Sequence, residues 1–188
     1  MAALQARLAP AEIFEPVDET QLRAAMPVLN EYVGPVYMRL FRKVTPDVFG
    51  PDYKFDLFKA DMLREGTDLT VFVSGMFTRD VLDAANELAA EGLDVEVVNV
   101  HTLKPIDRET VIASARKTGA VLTVENHNVI GGLHSAVCET LALERIPVSA
   151  LGVFDRFGEV GKLPYLRKAL GLTKEDIVEA IRKAAATK

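Results

Sequence analysis

Residues 68–100 read "DLTVFVSGMFTRDVLDAANELAAEGLDVEVVNV", and their pattern decides the fold. The stretch opens on a continuous apolar run, "DLTVFVSG" (68–75), ending in small residues as a strand buried on both faces does. It continues as "TRDVLDAANELAAEG" (78–92), where Val81, Leu82, Ala85, Leu88 and Ala89 recur at helical spacing and Gly92 is placed to cap the end. It closes on a second apolar run, "DVEVVNV" (94–100). Strand, helix and strand in this order predict a crossover between neighbouring parallel strands.

The alternation continues toward the C-terminus. "KPIDRETVIASARKTG" (104–119) predicts a helix with Asp107 as N-cap, Val111, Ile112 and Ala115 facing inward, and Gly119 closing it. "AVLTVE" (120–125) predicts a third buried strand, residues 131–143 a third helix, and "IPVSALGV" (146–153) a fourth strand. "TKEDIVEAIRKAAA" (173–186) predicts a last helix, whose Thr-x-x-Asp start resembles a capping box. Upstream, "KFDLFKADMLREGTD" (54–68) reads as a short strand and turn forming an antiparallel edge. The expected fold class is α/β: three layers, α/β/α, around a mainly parallel five-stranded sheet with one antiparallel edge strand.

The first fifty residues read differently. "EIFEP" predicts a short strand, "DETQLRAAMPVLNEY" (18–32) a helix and "GPVYMRLFR" (34–42) another strand. Pro46, Gly50 and Pro51 then punctuate an exposed connection. One helix and two strands cannot make a core alone. Residues 1–50 are therefore expected to dock on the self-contained unit 51–188, or to end a larger domain that begins before residue 1.

Composition bounds the function. The chain has 188 residues, is 49% hydrophobic and 26% charged, and carries a net charge of −5. That is an ordinary globular composition, and its sign argues against nucleic acid, which requires a basic stripe. No apolar run reaches the roughly 18–20 residues of a membrane span, so no membrane partner is expected. The N-terminus lacks a signal-peptide layout and the single cysteine cannot form an internal disulfide, so the expected location is cytoplasmic.

The window "ENHNVIGGLHSAVCETLA" (125–142) invites a chemical reading. Cys138 lies four residues after His134, so an imidazole could activate a thiol. With no orienting third residue evident, a small buried packing residue is the preferred alternative. His127, His134, Cys138 and Glu139 lack the tight paired spacing of zinc signatures. Gly131-Gly132 could start a helix whose N–H groups hold an anion, although a glycine pair also suits close packing of helix on sheet. "GEVGK" (158–162) departs from a phosphate loop, with Arg156 where its first glycine belongs and Leu163 where Ser or Thr belongs. Arg39 and Arg42 end a strand, where a guanidinium suits phosphate or carboxylate.

"LREGTDLTVFVSGMFTRDVLDAANELAAEGLDVEVVNVHTLKPID", then "TGAVLTVENHNVIGGLHSAVCETLA" and "VFDRFGEVG", resemble the C-terminal domain of transketolases, best the separate C-terminal subunit of enzymes encoded in two pieces. "IFEPVDETQLRAAMPVLNEYVGPVYMRLFR" resembles the end of the family's pyrimidine-binding domain, giving domains 1–50 and 51–188. The resemblance implies transfer of a two-carbon ketol unit between sugar phosphates with thiamine diphosphate and Mg²⁺. It also implies a partner, the N-terminal transketolase portion or subunit, in a homodimer or heterotetramer. The sequence has no Gly-Asp-Gly, and the glutamate that faces the cofactor's pyrimidine ring would precede residue 1. No catalytic, cofactor-binding or metal residue is therefore assigned, and the chain alone is expected to be inactive. One position carries over: in transketolases an arginine ending this strand contacts the substrate phosphate, and Arg42 aligns with it, although Phe41 stands where a small residue is usual. The three histidines match no catalytic histidine of the family. The polar "ENHN" is placed at a strand's carboxyl end to contact another domain or subunit. A non-catalytic α/β binding or assembly module, and the beta subunit of a 2-oxo-acid dehydrogenase, remain the alternatives.

Overall fold

The structure, a computed structural model, describes residues 12–188. The expected lack of a signal peptide at the extreme N-terminus therefore concerns residues outside those described. The elements are β1 (Glu12–Phe14), α1 (Glu19–Glu31), β2 (Val36–Met38), β3 (Asp61–Arg64), β4 (Leu69–Val73), α2 (Thr78–Ala89), β5 (Val95–Asn99), β6 (Thr102–Lys104), α3 (Arg108–Thr118), β7 (Val121–Asn128), α4 (Leu133–Thr140), β8 (Val148–Val153), α5 (Leu163–Leu170) and α6 (Lys174–Ala185).

The main sheet has the order β3-β5-β4-β7-β8. β4, β5, β7 and β8 run parallel and β3 is antiparallel to β5, as the sequence predicts. Alternate residues of the central strands feed two cores. Leu69, Val71 and Val73 pack with Val81, Ala85 and Leu88 of α2 and Ile177 and Ile181 of α6. On the opposite face Phe72 and Val98 pack with Val111 and Ala115 of α3 and Leu133 and Val137 of α4. Helices thus cover both faces, which is why β4 and β5 are buried along their whole length. Thr70 survives among these apolar residues because its Oγ1 meets Thr118 Oγ1 at 2.8 Å and donates to Ser114 O at 3.1 Å, both on α3.

Helix ends follow the local chemistry. Asp107 accepts from Thr110 N at 3.2 Å, and Gly119 closes α3 at φ +78. At α6, Thr173 and Asp176 form a reciprocal capping box, so Asp serves where Glu or Gln is usual. α2 stops at Ala89, a turn short of Gly92, which takes up the following bend at φ +89.

Two elements go beyond those expected from sequence. β6 covers three half-buried or buried residues of "HTLKPID" and pairs antiparallel with β1. α5 starts with Pro164 in its first turn, ends before Gly171 and buries no residue fully. β1, α1 and β2 form a parallel β-α-β unit, and with β6 they make a second sheet of order β2-β1-β6. The first part of the chain therefore docks by strand pairing. The Asp18 carboxylate strengthens this region, capping α1 at Gln21 N (2.8 Å) and accepting from Val48 N (2.7 Å).

Candidate functional site

Neighbouring order in the main sheet reverses at β4: β5 lies on one side and β7 on the other. In open α/β sheets the crevice outside the carboxyl ends at such a switch point is where ligands bind. After β4 ends at Val73, the chain passes Ser74 and turns through Gly75, at φ +62. A Cβ on Gly75 would collide with the Glu15 carboxylate and stand 2.8 Å from Phe41 Cζ. The crevice is thus filled by the chain itself.

The filling is polar and buried. Glu15, following β1, is 1% exposed and ion-pairs with Arg39, beyond β2. Its second oxygen lies 3.3 Å from His127 Nε2, and Arg39 Nη1 donates to Asn126 Oδ1 at 2.8 Å. The Arg39 guanidinium also lies 5.4 Å from the Phe41 ring centroid. Burial alone would raise the Glu15 pKa, but His127 and Arg39 together hold it below the ordinary glutamate value. The "ENHN" residues 126 and 127 accordingly contact the first part of the chain.

The carboxyl end of β7 also settles the anion question. Glu125 accepts from Leu133 N and His134 N, both at 2.8 Å, so the N-terminus of α4 already holds an anion from its own chain. Burial raises the Glu125 pKa, and the two N–H groups only partly offset it. Gly131 N is taken by Ser135 Oγ at 2.8 Å. The Gly-Gly pair serves close packing, and no free N–H remains at 131, 133 or 134 for a ligand.

Thiol and metal readings fare similarly. Cys138 Sγ is 3.5 Å from His134 Nε2, yet burial raises the thiol pKa and lowers the imidazole's, so the thiol stays protonated. Among the described residues no group of three His, Cys, Asp or Glu could hold a metal ion. Glu15, the acid nearest the switch point, is committed to Arg39 and His127. The described residues alone do not fit a thiamine diphosphate and Mg²⁺ site.

A third polar cluster joins α1, β3 and β5. Asp61 accepts from Gln21 Nε2 (2.9 Å), Tyr53 Oη (2.9 Å) and Asn99 Nδ2 (3.0 Å), with His101 Nε2 at 3.8 Å. Burial pushes Asp61 up to about 6 and His101 down to about 4.

Arg42 stands apart from all of these. It is exposed and, among the described residues, its side chain makes no hydrogen bond or ion pair. It lines a cleft of about 820 Å³ together with Lys43, Met76, Lys162 and Leu163. The two strand-end arginines therefore differ: Arg39 is locked into the crevice and Arg42 is open to a ligand. Sequence reasoning missed Glu15, Asp61 and the internal role of Glu125. For Glu15 and Glu125 the available signal was an acidic residue ending a buried apolar run, since such a carboxylate requires a partner; Asp61, which opens β3, carries no such signal.

Residues 58–177 match the family model described as "Transketolase, C-terminal domain". The chain is 47% identical over 177 residues to a subunit of the 6-deoxy-6-sulfo-D-fructose transketolase of Clostridium sp. (strain MSTE9), covering 94% of this chain and 55% of that protein. It is 36% identical to one subunit of the apulose-4-phosphate transketolase of Phocaeicola vulgatus, covering 86% of this chain and 52% of that protein. The chain spans about half the length of these curated relatives. Among solved structures, a split-gene transketolase described as an inactive beta4 tetramer superposes with a TM-score of 0.93 at 46% identity, covering 98% of this chain and 61% of that one.

Proposed function

From the premise that this chain belongs to the transketolase C-terminal domain family, we propose that it supports transfer of a two-carbon ketol unit between sugar phosphates, acting with an N-terminal transketolase portion. Residues 1–50 then end a pyrimidine-binding-type domain with its connection, and residues 51–188 are the C-terminal domain. The assembly is a homodimer or heterotetramer. The partner portion would hold thiamine diphosphate with Mg²⁺, which would supply the electron sink that ketol transfer requires.

This chain's own residues have two tasks. Glu15, Arg39 and Phe41 fill the switch-point crevice, fixing the β2 end against the main sheet. Arg42, extending from that fixed end, takes the substrate phosphate with its planar fork. The observation that carries this reading is the contrast in engagement, since Arg42 alone of the two is exposed and unpaired among the described residues.

The test is ketol transfer from xylulose 5-phosphate to ribose 5-phosphate, measured with the chain alone and with the N-terminal portion added. Activity is expected only in the mixture. Turnover by the chain alone would overturn the placement of the cofactor site. Because one relative is named for a sulfonated sugar, the same assay should include 6-deoxy-6-sulfo-D-fructose as donor.

A further inference from the structure

We propose that Lys162 faces Arg42 across the cleft and completes a grip on the phosphate end of the sugar, so that the C-terminal domain itself contributes a substrate-binding side chain. This rests on the reading of Arg42 given above. The cleft's volume, about 820 Å³, falls within the roughly 300–1,000 Å³ typical of small-molecule sites. The cleft is lined by residues 41–46, by Met76 and Asp80 from the segment after β4, and by residues drawn from 161–167. Ligands favour such seams between packed units.

Charge is what singles the cleft out. Four cations line it, Arg42, Lys43, Lys162 and Arg167, against one carboxylate, Asp80. Arg167 Nη2 meets Asp80 Oδ2 at 2.9 Å, its Nε donates to Leu172 O at 3.0 Å, and its guanidinium stacks 5.3 Å from the Phe77 ring centroid. That pair cancels itself. The side chains of Arg42, Lys43 and Lys162 remain without an ion-pair or hydrogen-bond partner among the described residues.

Elsewhere the chain pairs most of its cations, as in Lys59–Glu109 (2.8 Å), Arg64–Asp94 (3.0 Å), Lys174–Glu87 (2.8 Å) and Arg182–Glu91 (2.7 Å), while the side chains of Lys54, Arg108, Arg145 and Lys168 are also without a partner among the described residues. A protein of net charge −5 that leaves three cations unpaired around one cleft concentrates positive potential there. Phe41, Leu163 and Leu166 give the cleft apolar walls, which lower the local dielectric and strengthen the attraction. A compact cleft with three charges suits a small dianion such as a phosphomonoester, whereas a nucleic acid would need an extended stripe.

The test measures KM and kcat in the chain assembled with its N-terminal portion, using ribose 5-phosphate and unphosphorylated ribose as acceptors. Lys162→Gln should raise KM for ribose 5-phosphate about 5- to 10-fold, leave kcat unchanged, and leave ribose unaffected. Lys162→Arg should restore the KM. In parallel, calorimetry of the chain with inorganic phosphate should show binding weakened by Lys162→Gln and by Arg42→Gln. If Arg42→Gln raises KM while Lys162→Gln does not, the cross-cleft grip is wrong and the Arg42 reading stands. If ketol transfer proceeds and neither change moves KM, both are wrong. Equal losses on ribose and ribose 5-phosphate would assign Lys162 a structural role and overturn the proposal. So would inorganic phosphate binding that is insensitive to Lys162, or a cleft occupied by a carboxylate of the N-terminal portion.

Discussion

Gly132 leaves the space that the Glu125 carboxylate occupies. A Cβ at position 132 would collide with that carboxylate and stand 2.7 Å from Asn128 O. Glycine is required here by close approach, because position 132 has extended backbone at φ −98 and is not in the left-handed region. Gly132→Ala should displace Glu125 from Leu133 N and His134 N and leave two buried donors unpaired. The expected cost is about 2–4 kcal/mol, read from urea unfolding midpoints. A loss under about 0.5 kcal/mol would mean that α4 does not depend on Glu125.

Glu15 makes the acid side of stability predictable. Its folded pKa is held below the unfolded value, so its contribution is present above about pH 4.5 and lost as pH falls through the lower folded pKa. Arg39→Met leaves Glu15 buried with only His127 nearby and should cost about 3–5 kcal/mol at pH 7. The variant's deficit should shrink below pH 4.5, because the orphaned carboxylate then takes a proton more readily. A deficit independent of pH would detach Arg39 from Glu15.

Asp61 and His101 pull in opposite directions over one pH window. Burial raises Asp61 from 3.8 to about 6, so protonation favours the folded state and stability from this group is lost as pH rises through 6. Burial lowers His101 from 6.5 to about 4, so protonation favours unfolding and its contribution is lost as pH falls from 6.5 toward 4. The two slopes largely cancel in the native chain. His101→Gln should gain about 2 kcal/mol, relative to wild type, between pH 7 and 4.5, and Asp61→Asn should lose a similar amount. Urea midpoints at both pH values check this, and parallel profiles for all three proteins would sink it.

Cys138 should behave as an unactivated thiol. Burial raises its pKa above 9, and the low-pKa His134 beside it carries no charge at neutral pH. Iodoacetamide labelling should be slow at pH 7, rise about tenfold per pH unit and reach no plateau by pH 9. A plateau below pH 8 would reveal a thiolate and reopen the Cys138–His134 pair as chemistry.

Much of the fold was legible where one local rule acts alone. The buried runs of β4 and β5, the Asp107 cap, Gly119 and the Thr173–Asp176 box each follow from their own neighbours. β6 was not legible, because Thr102–Lys104 is a strand only through pairing with β1, far away in sequence. α5 had its Pro164 and Gly171 punctuation in view, but it buries no residue fully and so carries little apolar signal. The crevice was hidden for the same reason as β6: Glu15, Arg39 and His127 come from three separate elements, and only the tertiary fold brings them together. The resemblance points to Arg42 as a phosphate contact, which stays a proposal, and its freedom from partners became visible only in three dimensions.

Arg39 and Arg42 give the sharpest contrast because they lie three residues apart in the segment that follows β2, which ends at Met38 rather than running on to Arg42 as the sequence predicts. Arg39 is bound by Glu15, Asn126 and the Phe41 ring, and its side chain is 27% exposed. Arg42 is exposed, with no such contact among the described residues. Arg39→Gln should therefore lower the unfolding midpoint, because it removes the charge facing a buried carboxylate. Arg42→Gln should change stability by less than about 0.5 kcal/mol, as expected for an exposed side chain. It should instead raise KM for sugar phosphates about tenfold in the assembled enzyme, since a guanidinium–phosphate fork is among the stronger hydrogen-bonded contacts. Thermal melts of both variants, run beside KM measurements, separate the two roles. A stable Arg39→Gln with impaired KM, or an unstable Arg42→Gln with normal KM, would reverse the assignment of scaffold and ligand contact at this strand end.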